Sequence, residues 1–261
     1  MDLNLHNKVV LVTGGAKGIG AAISRALFEE GARAVIADRD AIAGEKLATE
    51  LCGGESNAHF LRVELTSAHS CRAAIEDTVN RCGRLDALVN NAGVNDRVGL
   101  EQGAPEAYLQ SLERNLLHYY NMAHYALPQL KVSQGTIVNV ASKTAITGQG
   151  GTSGYASAKG AILALTREWA VELLPYGIRV NAIVPAEVMT PLYQQWLASF
   201  SEPENKLRTI ISKIPLGRRM TAAEEIAATV VFLLSSKAAG HITGQHLFVD
   251  GGYVHLDRAV T

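Results

Sequence analysis

Short runs of apolar, often β-branched residues alternate along the chain with longer segments in which apolar residues recur every three or four positions. Several runs, such as residues 9–12, are apolar throughout, which is typical of a parallel strand that is buried on both faces. The longer segments have the period of helices that bury one face. Seven strands are predicted, at residues 8–13, 33–38, 59–63, 86–90, 136–140, 179–183 and 245–249.

Helical patterns lie between these strands and include residues 19–30, 73–82, 106–127, 155–174 and 223–234. A repeated β-α-β order with short connections predicts an α/β fold, in which helices cover a parallel sheet on both faces. No linker or repeat interrupts the alternation, so we expect a single domain over residues 1–261. Residues 189–214 are too long for a plain connection, and we predict a substrate lobe there, with a structural insert as the alternative.

The composition excludes several classes of function. The 261 residues carry a formal net charge of −1, so no positive field attracts nucleic acid or an anionic membrane. No stretch is apolar over the about 18 residues that a membrane span needs, and the first residues lack the order of a secretory signal. The three cysteines form no C-x-x-C pair and the histidines follow no ligand spacing. We therefore expect reduced thiols, no metal site and a cytoplasmic protein.

A glycine-rich turn, T-G-G-A-K-G-I-G at residues 13–20, joins the first strand to the first helix. Glycines allow a sharp turn and a close backbone approach to a pyrophosphate, which the free N–H groups of a helix N-terminus attract. The spacing G-x-x-x-G-x-G is weak evidence alone, because any tight turn uses glycine. The candidate phosphate-binding residues are Gly14, Lys17, Gly18, Ile19 and Gly20.

Asp38 ends the second strand, where a carboxylate accepts hydrogen bonds from the adenosine ribose of a dinucleotide. The same carboxylate repels a 2′-phosphate, so the sequence favours NAD over NADP as the cofactor. Lys17 and Arg39 are the contrary evidence, because both could reach a 2′-phosphate. The fourth strand ends in N-N-A-G, where small residues let a dinucleotide lie against the sheet, although a plain turn is an equal alternative. The candidates there are Asn91, Ala92 and Gly93.

Tyr155 and Lys159 lie four residues apart at the start of a helical pattern, and so on one helix face. Hydride transfer at a carbinol carbon needs a matched proton transfer at its oxygen, for which a free tyrosine titrates too high. A lysine ammonium about 5 Å away lowers the tyrosine pKa by roughly two, so we predict a tyrosinate base near neutral pH. Ser142, at the end of the fifth strand, can hydrogen-bond the reacting oxygen. Asn115 is an amide in an apolar helix, with a satisfied polar group as the alternative.

Together these motifs resemble the short-chain dehydrogenase/reductase family over essentially the whole chain, including a serine thirteen residues before the tyrosine. The resemblance implies a Rossmann-type, doubly wound, seven-stranded parallel sheet and usually a homotetramer, with V-D-G-G at residues 249–252 similar to the strand that packs across one interface. It implies that Tyr155 is the acid/base and that Lys159 lowers its pKa and binds the nicotinamide ribose. Ser142 would orient the substrate oxygen, and Asn115 would hold a water in a proton relay.

Two departures from the family pattern concern the cofactor. Glu64, before Leu65, stands where the family usually has an aspartate that contacts adenine, and both residues stay among the cofactor-binding candidates. P-A-E-V-M-T at residues 185–190 stands where the family usually has Pro-Gly. Pro185 remains a candidate, and Val188 and Thr190 match the family positions that contact the nicotinamide carboxamide.

Polar residues near the expected pocket indicate the substrate class. Glu187 beside the nicotinamide is costly unless its carboxylate meets hydrogen-bond donors, and a polyol offers several. Asn95 and Gln149 add polar groups, although each alone is equally typical of a solvated loop. With Ser142 they complete the substrate-binding candidates, and they favour a sugar over a steroid or acyl chain, which would need an apolar wall.

Residues 166–170, 185–193 and 252–258 resemble bacterial L-fucose dehydrogenases within this family, which oxidise the anomeric carbon of a free aldose to its lactone. The resemblance implies L-fucose or a similar sugar such as D-arabinose or L-galactose. Another polyol, a sugar acid or a 3-oxoacyl group remains an alternative substrate. From a different class, a non-catalytic dinucleotide sensor remains open, although a sensor needs no proton donor and this chain has the full serine, tyrosine and lysine set.

Overall fold

A computed structural model describes residues 2–52 and 58–256, so part of the 252–258 segment lies outside the described residues. Seven strands form one sheet in the order β3-β2-β1-β4-β5-β6-β7, and all neighbouring pairs are parallel. The strands are β1 (Val9–Thr13), β2 (Arg33–Asp38), β3 (Ala58–Arg62), β4 (Ala87–Asn90), β5 (Thr136–Val140), β6 (Arg179–Pro185) and β7 (His246–Val249). The predicted seven-stranded, doubly wound α/β fold is thus confirmed.

Helices cover both faces of this sheet. They are α1 (Gly18–Glu29), α2 (Ala41–Leu51), α3 (Ala68–Cys82), α4 (Pro105–Leu112), α5 (His118–Ser133), α6 (Ser153–Glu172), α7 (Pro191–Leu197), α8 (Pro203–Ile211) and α9 (Ala223–Leu234). No helix among residues 2–52 and 58–256 is long and apolar enough to cross a membrane.

The apolar run of β1 is buried on both sides because its residues alternate between two cores. Val9 and Leu11 pack with residues of α3, α5 and α6 on one face of the sheet. Val10 and Val12 pack with residues of α1 and α9 on the other face. All four side chains are fully buried. This double burial is the physical reason that a continuous apolar run predicts a central parallel strand.

The predicted strands agree with the observed ones to within two residues, whereas the helices differ more. The prediction missed α2, which contains Gly44, a residue of low helix propensity. A Cβ at Gly44 would lie 2.1 Å from the ring of Phe60, so the glycine lets α2 approach β3 closely. The side chain of Asp40 begins α2 by accepting a hydrogen bond from Ala43 N at 3.0 Å.

The long predicted helix at residues 106–127 is interrupted and extended in the structure. A π-helical turn at Glu113–Leu117 separates α4 from α5, and α5 continues through Pro128 to Ser133. Burial of Met122 and Leu130 on α5 outweighs the cost of a proline in the helix. The third helix also begins earlier than predicted, at Ala68, because Ser67 caps it.

The excursion predicted at residues 189–214 contains the two helices α7 and α8, between β6 and α9. Tyr193, Trp196 and Phe200 form a row of edge-to-face ring contacts, with 5.0 Å between successive centroids. Aromatic pairs in this geometry add to the stability that burial gives. The segment is thus a packed helical unit beside the carboxyl end of β6, and its role as a substrate lobe stays a prediction.

Candidate active site

The crevice between the loops after β1 and β4 is the point where the order of the strands reverses. The chain winds from β1 towards β3 on one side and from β4 towards β7 on the other. Ligands of open α/β sheets bind at such a point, outside the carboxyl ends of the strands. Thr13 Oγ1 accepts hydrogen bonds from Asn91 N (2.9 Å) and Ala92 N (3.2 Å). Asn91 Nδ2 donates to Thr13 O (3.0 Å) and Gly14 O (3.1 Å), which fixes the two loops together.

The glycine turn has the features of an anion cradle. Gly14 and Gly18 have φ values of +61° and +53°, which side chains strain to adopt. A Cβ at Gly20 would lie 2.0 Å from Gly14 O, so the turn is too tight for any other residue there. Lys17 occupies the N-cap of α1 but makes no side-chain cap, so the first N–H groups of α1 remain available to a ligand. The turn therefore fits the pyrophosphate of a dinucleotide.

Asp38 lies beside this turn, at the end of β2. Its two carboxylate oxygens accept hydrogen bonds from Ala16 N (3.1 Å) and Asp40 N (3.0 Å). The ammonium of Lys17 forms an ion pair with Asp40. Arg39 is exposed and forms no hydrogen bond or ion pair with the described residues. Of the two cations considered for a 2′-phosphate, Lys17 is thus already paired.

The loop after β6 reaches the glycine turn from the other side. A Cβ at Gly18 would lie 3.2 Å from Thr190 Cγ2, so these two residues are close neighbours. Thr190 Oγ1 accepts a hydrogen bond from Tyr193 N at 3.2 Å and so begins α7. Val188 is buried and forms a bridge with Thr221, whereas Pro185 is the last residue of β6. Of the sequence candidates in this loop, Thr190 thus lies beside the glycine turn, whereas Val188 is buried in the core cluster that includes residues of α1 and α9.

Glu64 and Leu65 follow β3. Glu64 is exposed, and its Oε1 accepts hydrogen bonds from Thr66 N (3.2 Å) and Thr66 Oγ1 (2.9 Å). This local turn uses one oxygen of the carboxylate and leaves the other to solvent. An adenine-contacting role for Glu64 stays a prediction.

Gly93 and Asn115 connect the crevice to the candidate catalytic residues. A Cβ at Gly93 would lie 3.2 Å from Asn115 Oδ1 and 3.3 Å from Lys159 Nζ. The fully buried Asn115 lies in the π-helical turn, where its Oδ1 accepts from Val94 N at 2.7 Å and its Nδ2 donates to Ser111 O at 3.0 Å. Its side chain is thus satisfied within the chain, and a water-holding role is untested.

Tyr155 and Ser142 meet at the carboxyl end of β5. Ser142 follows that strand, and its hydroxyl lies close enough to Tyr155 to act on the tyrosine pKa. Burial raises the pKa of Tyr155 to about 12, although the Ser142 hydroxyl opposes the rise. The Tyr155 hydroxyl therefore stays protonated near neutral pH.

Lys159 lies near Tyr155, as the sequence predicted, but the hydrogen bonds of its ammonium go to other groups. Its ammonium is buried and donates to Val140 O (2.8 Å) and Tyr119 Oη (3.0 Å). It lies 5.5 Å from the centroid of the Tyr155 ring. Burial also lowers the pKa of Lys159 to about 7. The expected lowering of the tyrosine pKa by the ammonium is thus wrong for this arrangement, because desolvation dominates at both groups.

Hydrogen bonds between buried polar side chains join β4, β5 and α6. Asn90 Nδ2 at the end of β4 donates to Asn139 Oδ1 of β5 at 3.1 Å. Asn139 Nδ2 donates to Thr166 Oγ1 of α6 at 3.0 Å. All three residues are fully buried. This network fixes α6, which carries Tyr155 and Lys159, against the ends of β4 and β5.

Glu187 finds its hydrogen-bond donors within the chain itself. Lys143 Nζ donates to its Oε1, and Tyr193 Oη donates to its Oε2 at 2.7 Å. The side chains of Lys143 and Glu187 are each 11% exposed, and the Lys143 ammonium lies 4.3 Å from the centroid of the Tyr253 ring. Burial and the Glu187 carboxylate raise the pKa of Tyr193, which keeps its hydroxyl protonated as a donor. Glu187 therefore does not need the hydroxyls of a polyol as its hydrogen-bond donors.

Sequence reasoning missed Lys143 and Tyr193. The available signal for Lys143 was its position directly after Ser142, at the end of a buried strand. The remaining substrate candidates are less constrained. Asn95 Oδ1 accepts from Arg97 N at 3.2 Å, and Gln149 is exposed with no hydrogen bond to the described residues. The structure therefore joins Glu187 to Lys143, the residue after Ser142, and shows no hydrogen bond from Gln149 to these residues.

Replacing Lys159 with methionine tests the cost of its buried ammonium. In the unfolded chain the lysine keeps its ordinary pKa of 10.5, whereas in the fold burial lowers it to about 7. Below about pH 7 both states hold the proton, and the fold bears the full cost of the buried charge. Between about pH 7 and pH 10.5 the lysine is protonated only in the unfolded chain. The free energy of unfolding of the wild type therefore rises with pH over this range. We expect Lys159→Met to increase the free energy of unfolding on the order of 2 kcal/mol more at neutral pH than near pH 9.5.

Urea denaturation at both pH values measures this difference. Lys46→Met on the exposed side of α2 is the matched control and should show no such pH dependence. An equal effect of Lys159→Met at the two pH values would contradict the assignment.

Comparisons with known proteins agree with this geometry. A family model described as enoyl-(acyl carrier protein) reductase matches residues 14–254. L-fucose dehydrogenase of Oryctolagus cuniculus is 42% identical over 246 residues, which cover 94% of this chain and 84% of that protein. The crystal structure of Cj0485 dehydrogenase is 47% identical with a TM-score of 0.95, and the match covers 99% of this chain and 98% of that one.

A third similar protein is the 3-ketoacyl-(acyl-carrier-protein) reductase from Brucella melitensis, which was solved in complex with NADH. It is 31% identical with a TM-score of 0.86, over 96% of this chain and 99% of that one. The fold, the glycine turn, the serine–tyrosine pair at the end of β5 and these similarities lead to one conclusion. This chain belongs to the short-chain dehydrogenase/reductase family of oxidoreductases.

Proposed function

We propose that this protein is an NAD-dependent dehydrogenase that oxidises L-fucose, or a similar free aldose, at the anomeric carbon to its lactone. The observation that carries the proposal is the pair Ser142–Tyr155, with the Lys143–Glu187 ion pair starting at the residue after Ser142; we take this ion pair as a charged wall of the pocket. The pair supplies the proton chemistry of an alcohol dehydrogenase, and the wall suits a substrate with many hydroxyls. The 42% identity to an L-fucose dehydrogenase supports the same substrate.

The crevice fits a nicotinamide dinucleotide, which when bound would accept the hydride that leaves the anomeric carbon. The free N–H groups of α1 and the glycine turn would hold its pyrophosphate. Asp38 would accept the adenosine ribose hydroxyls, and the loop with Val188 and Thr190 would hold the carboxamide. The remaining candidates to contact the cofactor are Ile19, Glu64, Leu65, Asn91, Ala92, Gly93 and Pro185.

Tyr155 would exchange the proton that balances hydride transfer. Oxidation of the cyclic hemiacetal removes a hydride from carbon and a proton from its hydroxyl, and we assign Tyr155 as the group that receives the proton. Ser142 would hold the reacting oxygen in hydrogen-bond reach of Tyr155. Because burial raises the pKa of Tyr155 to about 12, the basic form is scarce near neutral pH. The rate of oxidation should therefore rise with pH above neutrality.

A 3-oxoacyl substrate is the second candidate, because the Brucella melitensis relative reduces 3-ketoacyl groups by its name and the family model is described as a reductase of acyl carrier protein substrates. An acyl chain needs an apolar wall. Lys143, Glu187 and Tyr193 instead place two charges and a hydroxyl beside Ser142. These side chains favour the sugar.

The insert would form one wall of the substrate pocket. Tyr193 of α7 donates to Glu187 at 2.7 Å, so the helical unit contacts the polar cluster directly. Its aromatic row, from Tyr193 to Phe200, gives this wall a rigid apolar backing. We assign residues 189–214 as a substrate lobe on these contacts.

Turnover with L-fucose and NAD tests the function. We expect the purified protein to reduce NAD with L-fucose, with D-arabinose and L-galactose as weaker or comparable substrates, and with a rate that rises between about pH 7 and 10. Tyr155→Phe should lower turnover about 10²–10⁴-fold and leave the affinity for NADH unchanged, as measured by fluorescence. Turnover on simple alcohols or 3-oxoacyl compounds but on no aldose would contradict the sugar and keep the family.

The charge of Asp38 should set the cofactor preference. Asp38→Asn keeps the size of the side chain and removes the repulsion of a 2′-phosphate, so the ratio of kcat/KM for NAD over NADP should fall about tenfold or more. Asp77→Asn, an exposed substitution on α3, is the matched control. An unchanged ratio, or a wild-type preference for NADP, would mean that Arg39 outweighs Asp38.

We propose a homotetramer on the basis of apolar residues left exposed on adjacent helices. Tyr120 near the start of α5 is 53% exposed and Val171 near the end of α6 is 69% exposed, and the Tyr120 ring lies 6.5 Å from that of Trp169 on α6. Light scattering should give about four times the chain mass of 27.8 kDa. Tyr120→Glu should lower this mass, and a monomeric wild type would contradict the proposal.

A further inference from the structure

Lys143 forms a nearly buried ion pair with Glu187 near the carboxyl ends of β5 and β6. Lys143 directly follows Ser142, and the Cα atoms of adjacent residues are about 3.8 Å apart. Glu187 follows β6, so its carboxylate approaches from the neighbouring strand. The ion pair therefore lies at the edge of the sheet where Ser142 follows β5. Neither the catalytic set nor the cofactor site accounts for Lys143.

A purely structural ion pair is a poor explanation for these two residues. Removing two charges from water costs several kcal/mol, and apolar residues of similar size often stabilise a fold as well or better. Tyr193 already links α7 to Glu187 by a hydrogen bond. A pair that keeps 11% of each side chain open, close to the end of β5 that Ser142 follows, is better explained by a ligand that needs both charges.

Among residues 2–52 and 58–256, the partners of the pair do not use all of its hydrogen-bonding capacity. An ammonium has three N–H donors, of which one points to Glu187 while the charge lies against the face of the Tyr253 ring. A carboxylate has about four acceptor positions, of which Lys143 and Tyr193 use two. The open side of the pair thus offers donors from Lys143 and acceptors from Glu187 side by side.

We propose that Lys143 is a specificity-determining residue, which with Glu187 recognises two adjacent hydroxyls of the substrate next to the reacting carbon. This inference rests on the proposed sugar dehydrogenase function. A hydroxyl both donates and accepts a hydrogen bond. One hydroxyl accepts from the Lys143 ammonium, and its neighbour donates to the Glu187 carboxylate. A mono-alcohol satisfies neither group, so the pair selects polyols against simple alcohols.

Lys143→Met and substrates that lack one hydroxyl test the inference together. Wild type should lose about 10–100-fold in kcat/KM when the hydroxyl at C2 or C3 of L-fucose is replaced by hydrogen, because a charged partner is left unpaired. Lys143→Met should lose a similar factor on L-fucose itself, mainly in KM. It should then be almost insensitive to removal of the hydroxyl that Lys143 binds.

Controls separate this role from a structural one. Tyr193→Phe removes a donor to Glu187 and keeps the ion pair, so it should retain the wild-type sensitivity to the missing hydroxyls. Lys143→Arg keeps the charge and should restore part of the discrimination. Lys143→Gln is the replacement variant in case Lys143→Met does not fold. For both variants, an unchanged affinity for NADH shows that the crevice is intact.

The outcomes distinguish the inference from the proposed function. Equal losses of Lys143→Met on L-fucose and on both deoxy sugars would overturn the inference alone, since the residue would then act only on the fold. A wild type that oxidises a simple alcohol and no sugar would overturn the proposed function and the inference with it. Loss of hydroxyl sensitivity in Lys143→Met but not in Tyr193→Phe would support the inference.

Discussion

The arrangement of the catalytic candidates depends on the hydrogen bonds that the buried ammonium of Lys159 donates. It donates to the carbonyl of Val140, the last residue of β5, and to the hydroxyl of Tyr119 at the start of α5. Tyr119 Oη in turn donates to the same carbonyl at 2.8 Å. Helix α6 is thereby joined to β5 and α5 within a few ångströms of Ser142. Desolvation makes this placement costly for the charged lysine, which is why burial lowers its pKa to about 7.

The buried side chains of Asn90, Asn139 and Thr166 extend this anchoring into the sheet. Because each bond in the network is buried, the loss of one partner would leave another unpaired, which is more costly than the bond itself is worth. The loops after β1 and β4 are held by the equivalent bonds of Thr13 and Asn91. The crevice and the candidate pair Ser142–Tyr155 therefore rest on rigid strand ends, as a site that must align two reacting atoms requires.

The sequence predicted the strands and the family well, because both are encoded by local patterns. The double burial of β1 is visible as an uninterrupted apolar run, and the motifs around Gly14 and Tyr155 have fixed spacings. It predicted α2 poorly, because the need for Gly44 comes from Phe60 on another element. The state of Tyr155 was also missed, since its pKa depends on how much water the fold removes. The partners of Glu187 could not be derived, because Lys143 lies 44 residues away along the chain.

The pairing of β1 with β4 has a consequence for how the molecule assembles. Residue 10 in β1 pairs with residue 87 in β4, across a long stretch of chain that contains β2 and β3. Contacts of such high sequence separation form late, because the entropy of closing the loop must be overcome first. The crevice for the dinucleotide exists only after this closure. Dinucleotide binding therefore reports on completion of the centre of the sheet, and by mass action it draws the folding equilibrium towards the chain in which that closure has occurred.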